Sequence, residues 1–212
     1  MGGVGIVSGY GLTEAPIIAM GTVHDTDEQL ANTEGKATGT TQLRAVTLDG
    51  KEAGIGEEGE IRAKAPQLMK GYLDSSLDAE AFDDEGWFRT GDLGRIDADG
   101  MVTITGRVKD IIIRNMENIS AKEVEDVLFT HPDIADVAVI GVPDPKTGER
   151  VCAVVVPKEG AEPVTFEAMV AYAREQGLMT QKLPERLEVV DVLPRNPTGK
   201  VLKFELRDRF GG

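Results

Sequence analysis

Short runs of alternating apolar and polar side chains, each closed by a turn signal, dominate the first half of this chain and constrain its fold most. Leu43–Leu48 alternates and runs into Asp49-Gly50, and Glu60–Ala65 alternates and is stopped by Pro66. Arg95–Asp97 and Met101–Ile104 flank Ala98-Asp99-Gly100, the pattern of a hairpin with an Asp-Gly turn. Strands this short and this closely joined predict a β-rich, small barrel-like subdomain or a folded sheet.

The second half changes period. Ile111–Ile113 reads as a buried strand, and Ser120-Ala121-Lys122-Glu123 has the spacing of a capping box before Val124, Val127 and Leu128. Asp136–Val142 and Val151–Val156 read as strands, the second enclosing Cys152. Phe166, Met169, Val170 and Ala173 form one face of a helix ending near Gly177. Arg186–Leu193 predicts a further strand and Lys203–Phe210 a final helix. The expected class is therefore α+β: a β-rich unit over residues 1–106, then a small mobile α/β domain over 107–212, joined near Gly106–Asp110.

Charge excludes several functions. The 212 residues carry 23 Lys and Arg against 37 Asp and Glu, a net of -14, which leaves no basic surface for nucleic acid. Residues 1–106 hold 8 basic and 19 acidic side chains, while the segment around Arg195, Lys200, Lys203, Arg207 and Arg209 is locally basic. Cys152 is the only cysteine and has no neighbour that would lower its pKa, so core packing is its expected role. His24 and His131 have no metal-ligand spacing. No apolar run reaches the ~18 residues of a membrane span. Met1–Gly5 shows neither the basic region nor the apolar core of a signal peptide. These features fit an acidic cytoplasmic protein.

Four motifs carry more information, and their order makes them specific. They are Gly9-Tyr10-Gly11-Leu12-Thr13-Glu14, Trp87-Phe88-Arg89-Thr90-Gly91-Asp92, Gly106-Arg107-Val108-Lys109-Asp110 and Pro194-Arg195-Asn196-Pro197-Thr198-Gly199-Lys200. Together they resemble the adenylate-forming superfamily of acyl-CoA synthetases, peptide-synthetase adenylation domains and beetle luciferases. The resemblance runs through the whole chain and matches the C-terminal part of such an enzyme. It implies activation of a carboxylic acid, fatty or aromatic, by ATP with Mg²⁺, followed by acyl transfer to CoA. The alternatives are loading of a carrier-protein thiol, favoured by Met116, and a non-catalytic nucleotide-binding module.

The resemblance also assigns roles. Tyr10 suits stacking on adenine, Gly11 allows close backbone approach, and Thr13 offers its hydroxyl to phosphate. Glu14 is a hard oxygen ligand for the metal. Asp92 accepts the ribose hydroxyls, and Arg107 faces ribose and phosphate with a planar cationic fork. Trp87 is assigned to packing. Lys109 occupies the hinge, where a change in backbone angles matters more than side-chain contact. Lys200 is the expected catalytic lysine, brought in on a mobile loop to stabilise charge that develops on the α-phosphate. Lys203 is a secondary candidate for ligand contact. Met116 stands where CoA-using members commonly have glycine beside the pantetheine path. The Ser/Thr/Gly-rich phosphate loop of the family has no counterpart in these 212 residues. The expectation is therefore a fragment that needs the N-terminal part of the same enzyme and is inactive alone.

Overall fold

The computed structural model describes residues 6–211; Met1–Gly5, read above for a leader, and Gly212 lie outside them. The chain divides into two compact units, Met1–Val108 and Lys109–Gly212.

In the first unit, β1 (Gly9–Tyr10), β2 (Ala19–Met20) and β3 (Lys36–Ala37) form a small antiparallel sheet. Helix α1 (Asp27–Asn32) lies between β2 and β3; Thr26 and Gln29 cap it reciprocally, side chain to backbone in both directions. A second sheet is a meander of β4 (Gln42–Val46), β5 (Gly59–Lys64), β6 (Phe88–Ile96) and β7 (Val102–Arg107). The connection from β5 to β6 carries a 3₁₀ turn and the one-turn helix α2 (Asp78–Ala81). Alternation in β5 buries Gly59, Ile61 and Ala63 while Glu60, Arg62 and Lys64 stay half-buried, as a period of two requires. Ile18, Ile61, Phe88 and Val102 meet Tyr10 in one core.

The two sheets share this core and are linked by an isolated bridge, Lys36 to Met101, but no closed barrel exists among the described residues. The expected α+β class holds, and of the two forms expected for the first unit the folded sheet is the one present. Closure needs pairing between first and last strands, and β1–β3 are each two residues long.

Asp83 ties the meander together. Its Oδ2 accepts from Arg44 at 2.7 Å and Arg62 at 2.9 Å, and its Oδ1 accepts from the Trp87 amide at 2.9 Å. The Trp87 ring lies under the Arg44 guanidinium, 4.5 Å from centroid to Cζ, which agrees with a packing role. Burial works against ionisation of Asp83, but the Trp87 amide and the two guanidinium groups outweigh it and hold the carboxyl at about 2.

The second unit has three layers. Its sheet runs β10 (Ile134–Asp144), β11 (Gly148–Pro157), β8 (Ile111–Arg114), β9 (Glu117–Ser120), with β12 (Arg186–Val189) parallel to β11. Val137, Val139, Val151, Ala153 and Val155 face one core with Val124 and Leu128 of α3 (Ala121–Phe129) and Met169 and Ala173 of α4 (Phe166–Glu175). The alternate residues Ala138, Ile140, Cys152 and Val154 face Leu206 and Phe210 of α5 (Lys203–Phe210). Burial on both faces explains why β10 and β11 are almost continuously apolar. Cys152 is fully buried, and burial pushes its thiol up to about 11.

Three local expectations need correction. Ser120 Oγ accepts from the Glu123 amide at 3.5 Å, but the Glu123 carboxylate bonds Lys182 Nζ at 2.7 Å and does not close the capping box. Phe166 opens α4 as an exposed residue, because the buried face begins at Met169. The strand expected over 186–193 stops at Val189.

Asn115 and Met116 form the two-residue turn between β8 and β9 with φ of 50° and 65°. Left-handed backbone costs a side-chain-bearing residue about 1–2 kcal/mol, and Met116 gains no burial in return, being 95% exposed. Met116→Gly should therefore raise unfolding stability in urea by about 0.5–1 kcal/mol; an unchanged or lower midpoint would contradict this. The depressed pKa of Asp83 predicts a pH effect. Its contribution is complete above the unfolded value near 3.8 and is lost as pH falls through about 2. Asp83→Asn should lower stability at neutral pH by about 2 kcal/mol and flatten the loss of stability between pH 4 and pH 2.

Candidate active site

Asp92 is placed by a bulge in β6. Opposite β5, Glu60 pairs with Leu93 and Arg62 pairs with Arg89, so Thr90, Gly91 and Asp92 stand against Ile61 alone. Gly91 takes φ 69°, which favours glycine. Thr90 Oγ1 donates to the Ile61 carbonyl at 2.7 Å and accepts from the Asp92 amide at 3.1 Å, so the bulge is held from both sides. The Gly91 amide donates to Glu60 Oε1 at 3.3 Å.

The carboxylate so placed is 5% exposed and has two partners. Tyr10 Oη donates to Oδ2 at 2.8 Å, and Arg107 Nε, at the end of β7, lies 2.9 Å from Oδ1. A buried carboxylate is tolerated when paired in this way. The Arg107 side chain remains 43% exposed, so its guanidinium borders solvent. Burial pushes the Tyr10 phenol far above its ordinary value, and the Asp92 charge adds to this. The phenol is thus a fixed donor.

Tyr10, Asp92 and Arg107, expected on separate grounds to bind nucleotide, form one set joined by a hydrogen bond from Tyr10 and an ion pair with Arg107. The Tyr10 ring is only 9% exposed and belongs to the core, so its hydroxyl is committed to Asp92. A Cβ at Gly11 would lie 2.3 Å from the Ile17 nitrogen; glycine there makes room for the protein's own chain. Thr13 is exposed. Glu14 Oε1 accepts from Tyr72 Oη at 3.2 Å and its carbonyl accepts from the Met69 amide at 2.8 Å. Oε2 of Glu14 meets no partner among the described residues. Burial and the Glu14 charge raise the Tyr72 pKa.

In the second unit Lys200 follows a tight turn and is exposed, and its Nζ meets no partner among the described residues. Lys203 behaves differently. Its Nζ lies 2.7 Å from Glu125 Oε1 and 3.9 Å from Asp110 Oδ2, and only 16% of its side chain is exposed. Arg207 joins the same cluster through Asp110 Oδ1 at 2.9 Å. Lys203 thus connects α3, α5 and the start of the unit. Lys109 sits exposed in the 3₁₀ turn Val108–Asp110.

The sequence reading misses Thr90, Glu60 and Tyr72, which hold the candidate residues in place, and the partners of Lys203. Thr90 carries a signal in hindsight: a hydroxyl two residues before an aspartate beside a glycine can bond the intervening backbone. Tyr72 and Glu125 carry none, since their partners are 58 and 78 positions away in sequence.

Comparison with known proteins places this chain in a family. Residues 1–73 match the AMP-binding enzyme model, and residues 123–200 match the AMP-binding enzyme C-terminal domain. The medium-chain fatty-acid–CoA ligase of Escherichia coli K12 is 40% identical over 206 residues, which are 97% of this chain and 36% of the ligase. The salicyl-AMP ligase / salicyl-S-ArCP synthetase of Mycobacterium tuberculosis is 35% identical over 209 residues, 98% of this chain and 36% of that enzyme. ATP-bound MatB from Rhodopseudomonas palustris matches with a TM-score of 0.88 at 34% identity, over 97% of this chain and 41% of MatB.

The chain belongs to the adenylate-forming, AMP-binding enzymes. Its relatives within that class include acyl-CoA ligases, and it spans about two fifths of the length of those it matches. No helix among the described residues is long and apolar enough to cross a membrane, and no three His, Cys, Asp or Glu side chains gather there as a metal site.

The Tyr10–Asp92 bond is testable without a ligand. Tyr10→Phe keeps the ring and removes the donor, and should lower urea stability by about 1–2 kcal/mol with an unchanged circular dichroism spectrum. A loss below about 0.3 kcal/mol would show that the bond contributes little.

Proposed function

We propose that this chain supplies the ribose-binding and lysine-bearing parts of an ATP-dependent acyl-CoA synthetase. The observation that carries this reading is the Asp92 carboxylate, buried at a bulge and held by Tyr10 and Arg107. A carboxylate with fixed orientation, whose oxygens keep lone pairs beyond their two present partners, suits a pair of ribose hydroxyls, and the exposed part of the Arg107 guanidinium suits phosphate. The substrate acid is fatty or aromatic, in keeping with the names of two relatives.

The reaction has two steps. A carboxylate oxygen attacks the α-phosphorus of ATP, the bond to the bridging oxygen breaks, and pyrophosphate leaves. A thiolate then attacks the acyl carbonyl and AMP leaves. Lys200 acts in the first step by balancing negative charge on the phosphoryl and bridging oxygens, which is worth most where the donor is fixed beforehand. Tyr10 acts through Asp92, and Thr13, whose side chain is exposed, offers its hydroxyl to a phosphate oxygen. Glu14 has one oxygen committed to Tyr72 and one available, which fits a Mg²⁺ ion held by one carboxylate, water and substrate phosphates. Bound there, the ion would neutralise phosphate charge. Lys109 serves as the hinge, and Lys203 supports the fold.

CoA is the acceptor in this reading. Met116 supports a second one, transfer to a carrier-protein thiol, because an exposed methionine stands at the turn where the family resemblance expects glycine in CoA-using members. Comparing CoA with a carrier protein as acceptor separates the two.

These 212 residues alone should release no pyrophosphate in response to a carboxylic acid; ordinary turnover by the isolated chain would contradict this. The catalytic assignment is tested in a fusion in which they replace the matching stretch of the Escherichia coli ligase. Lys200→Ala should lower carboxylate-dependent pyrophosphate release by about 10²–10³-fold. Thioester formation from supplied acyl-adenylate should remain within about threefold. Equal loss of both steps would assign Lys200 another role.

A further inference from the structure

We infer that Asn196 is a positioning residue that fixes the backbone of Lys200, so that only the lysine side chain is left to move. The inference rests on the proposed role of Lys200 and deepens it.

The segment from Pro194 to Leu202 is a closed hairpin. The Leu202 amide donates to the Pro194 carbonyl at 2.8 Å, and Arg195 pairs with Val201 as an antiparallel bridge. At the tip the Gly199 amide donates to the Asn196 carbonyl at 2.9 Å, with Pro197 second in the turn and Gly199 at φ 86°. Asparagine first, proline second and glycine fourth is the residue order a type I turn favours, and a left-handed glycine after it returns the chain to antiparallel pairing.

Asn196 holds both main-chain groups of Lys200. Its Oδ1 accepts from the Lys200 amide at 2.9 Å, and its own amide donates to the Lys200 carbonyl at 2.9 Å. The same Oδ1 accepts from the Thr198 amide at 3.1 Å and from Thr198 Oγ1 at 2.8 Å. Arg195 then ties the tip to the sheet: its guanidinium donates to the Gly199 carbonyl and lies 2.6 Å from Asp136 Oδ2 on β10. The loop expected to be mobile is thus internally cross-linked. The result is preorganisation, in which rotamer changes of one side chain replace a search by a whole loop. A displacement of about 1 Å at a catalytic group can cost 10²-fold in rate.

Asn196 lies outside the buried cluster beneath α5, and its bonds stay within the loop. All three contacts of its side chain use the oxygen as acceptor. An aspartate can make the same three bonds, and an alanine can make none.

The test has two parts. In the 212-residue chain itself, Asn196→Ala should speed amide hydrogen exchange at Lys200 about tenfold, and Asn196→Asp should leave it near wild type. In the fusion with the Escherichia coli ligase, Asn196→Ala should lower kcat for adenylation by about 10–100-fold with KM for ATP within about threefold. Thioester formation from supplied acyl-adenylate should be unchanged, and Asn196→Asp should keep most of the adenylation rate.

Unchanged exchange in Asn196→Ala overturns the inference. So does equal damage by Ala and Asp, or equal loss of both half-reactions. If Lys200→Ala leaves adenylation intact, the proposed function of Lys200 fails instead, while the exchange experiment still decides whether Asn196 fixes the loop.

Discussion

Burying the Asp92 carboxylate is the constraint around which the first unit is arranged. An unpaired buried charge would be untenable, so two partners must be brought to it from opposite ends of the unit. Tyr10 comes from β1, 82 positions away in sequence, and Arg107 from the last residue of β7. The bulge at Thr90–Asp92 is the local device that turns the carboxylate inward, and Gly91 and the Thr90 hydroxyl make that bulge possible. Packing follows from the same convergence: the ring that carries the donor to Asp92 also packs with Ile18, Ile61 and Phe88.

The second unit solves a different problem. Its sheet is apolar on both faces and leaves β10 as an edge strand. Exposed edge amides invite pairing with another chain. Here the Val139 amide donates to Glu125 Oε1 at 2.7 Å, the Val137 amide donates to Asp136 Oδ1 at 3.0 Å, and Pro143 has no N–H to offer. Glu125 thereby caps the edge and anchors Lys203, and through Asp110 that cluster reaches Arg207. A lysine near the motif in sequence is drawn into the architecture, while Lys200, three residues earlier, is left free by a hairpin that binds only its backbone.

Elements with a clear period are legible in the sequence. Strands β4, β5 and β7 follow from alternation and their turn signals, and α5 spans the expected residues, whereas of β6 only the end at Arg95-Ile96 is read from its pattern. The catalytic-site candidates are legible only as motifs, because nothing local in Tyr10 or Arg107 announces that both meet Asp92. Sequence reasoning does not resolve β1–β3, since two residues are too few to show a period. It misplaces the Glu123 carboxylate and does not foresee the ion pair of Lys203 for another reason: the partners, Lys182 and Glu125, come from distant segments and no local pattern announces them. The resemblance assigns Tyr10 to adenine stacking, and nothing in the sequence shows that most of its ring lies in the core with its hydroxyl on Asp92.

The central claim is that the Asp92–Arg107 pair is the nucleotide's docking point. Titrating the ¹⁵N-labelled 212-residue chain with AMP, and following the Arg107 Nε–H resonance by NMR, tests it most directly. The account predicts a saturable shift of that resonance with AMP, and a much weaker response to 2′,3′-dideoxy-AMP, which lacks the hydroxyls Asp92 would accept. An Arg107 resonance that stays in place throughout the titration, or moves equally with both nucleotides, would contradict it.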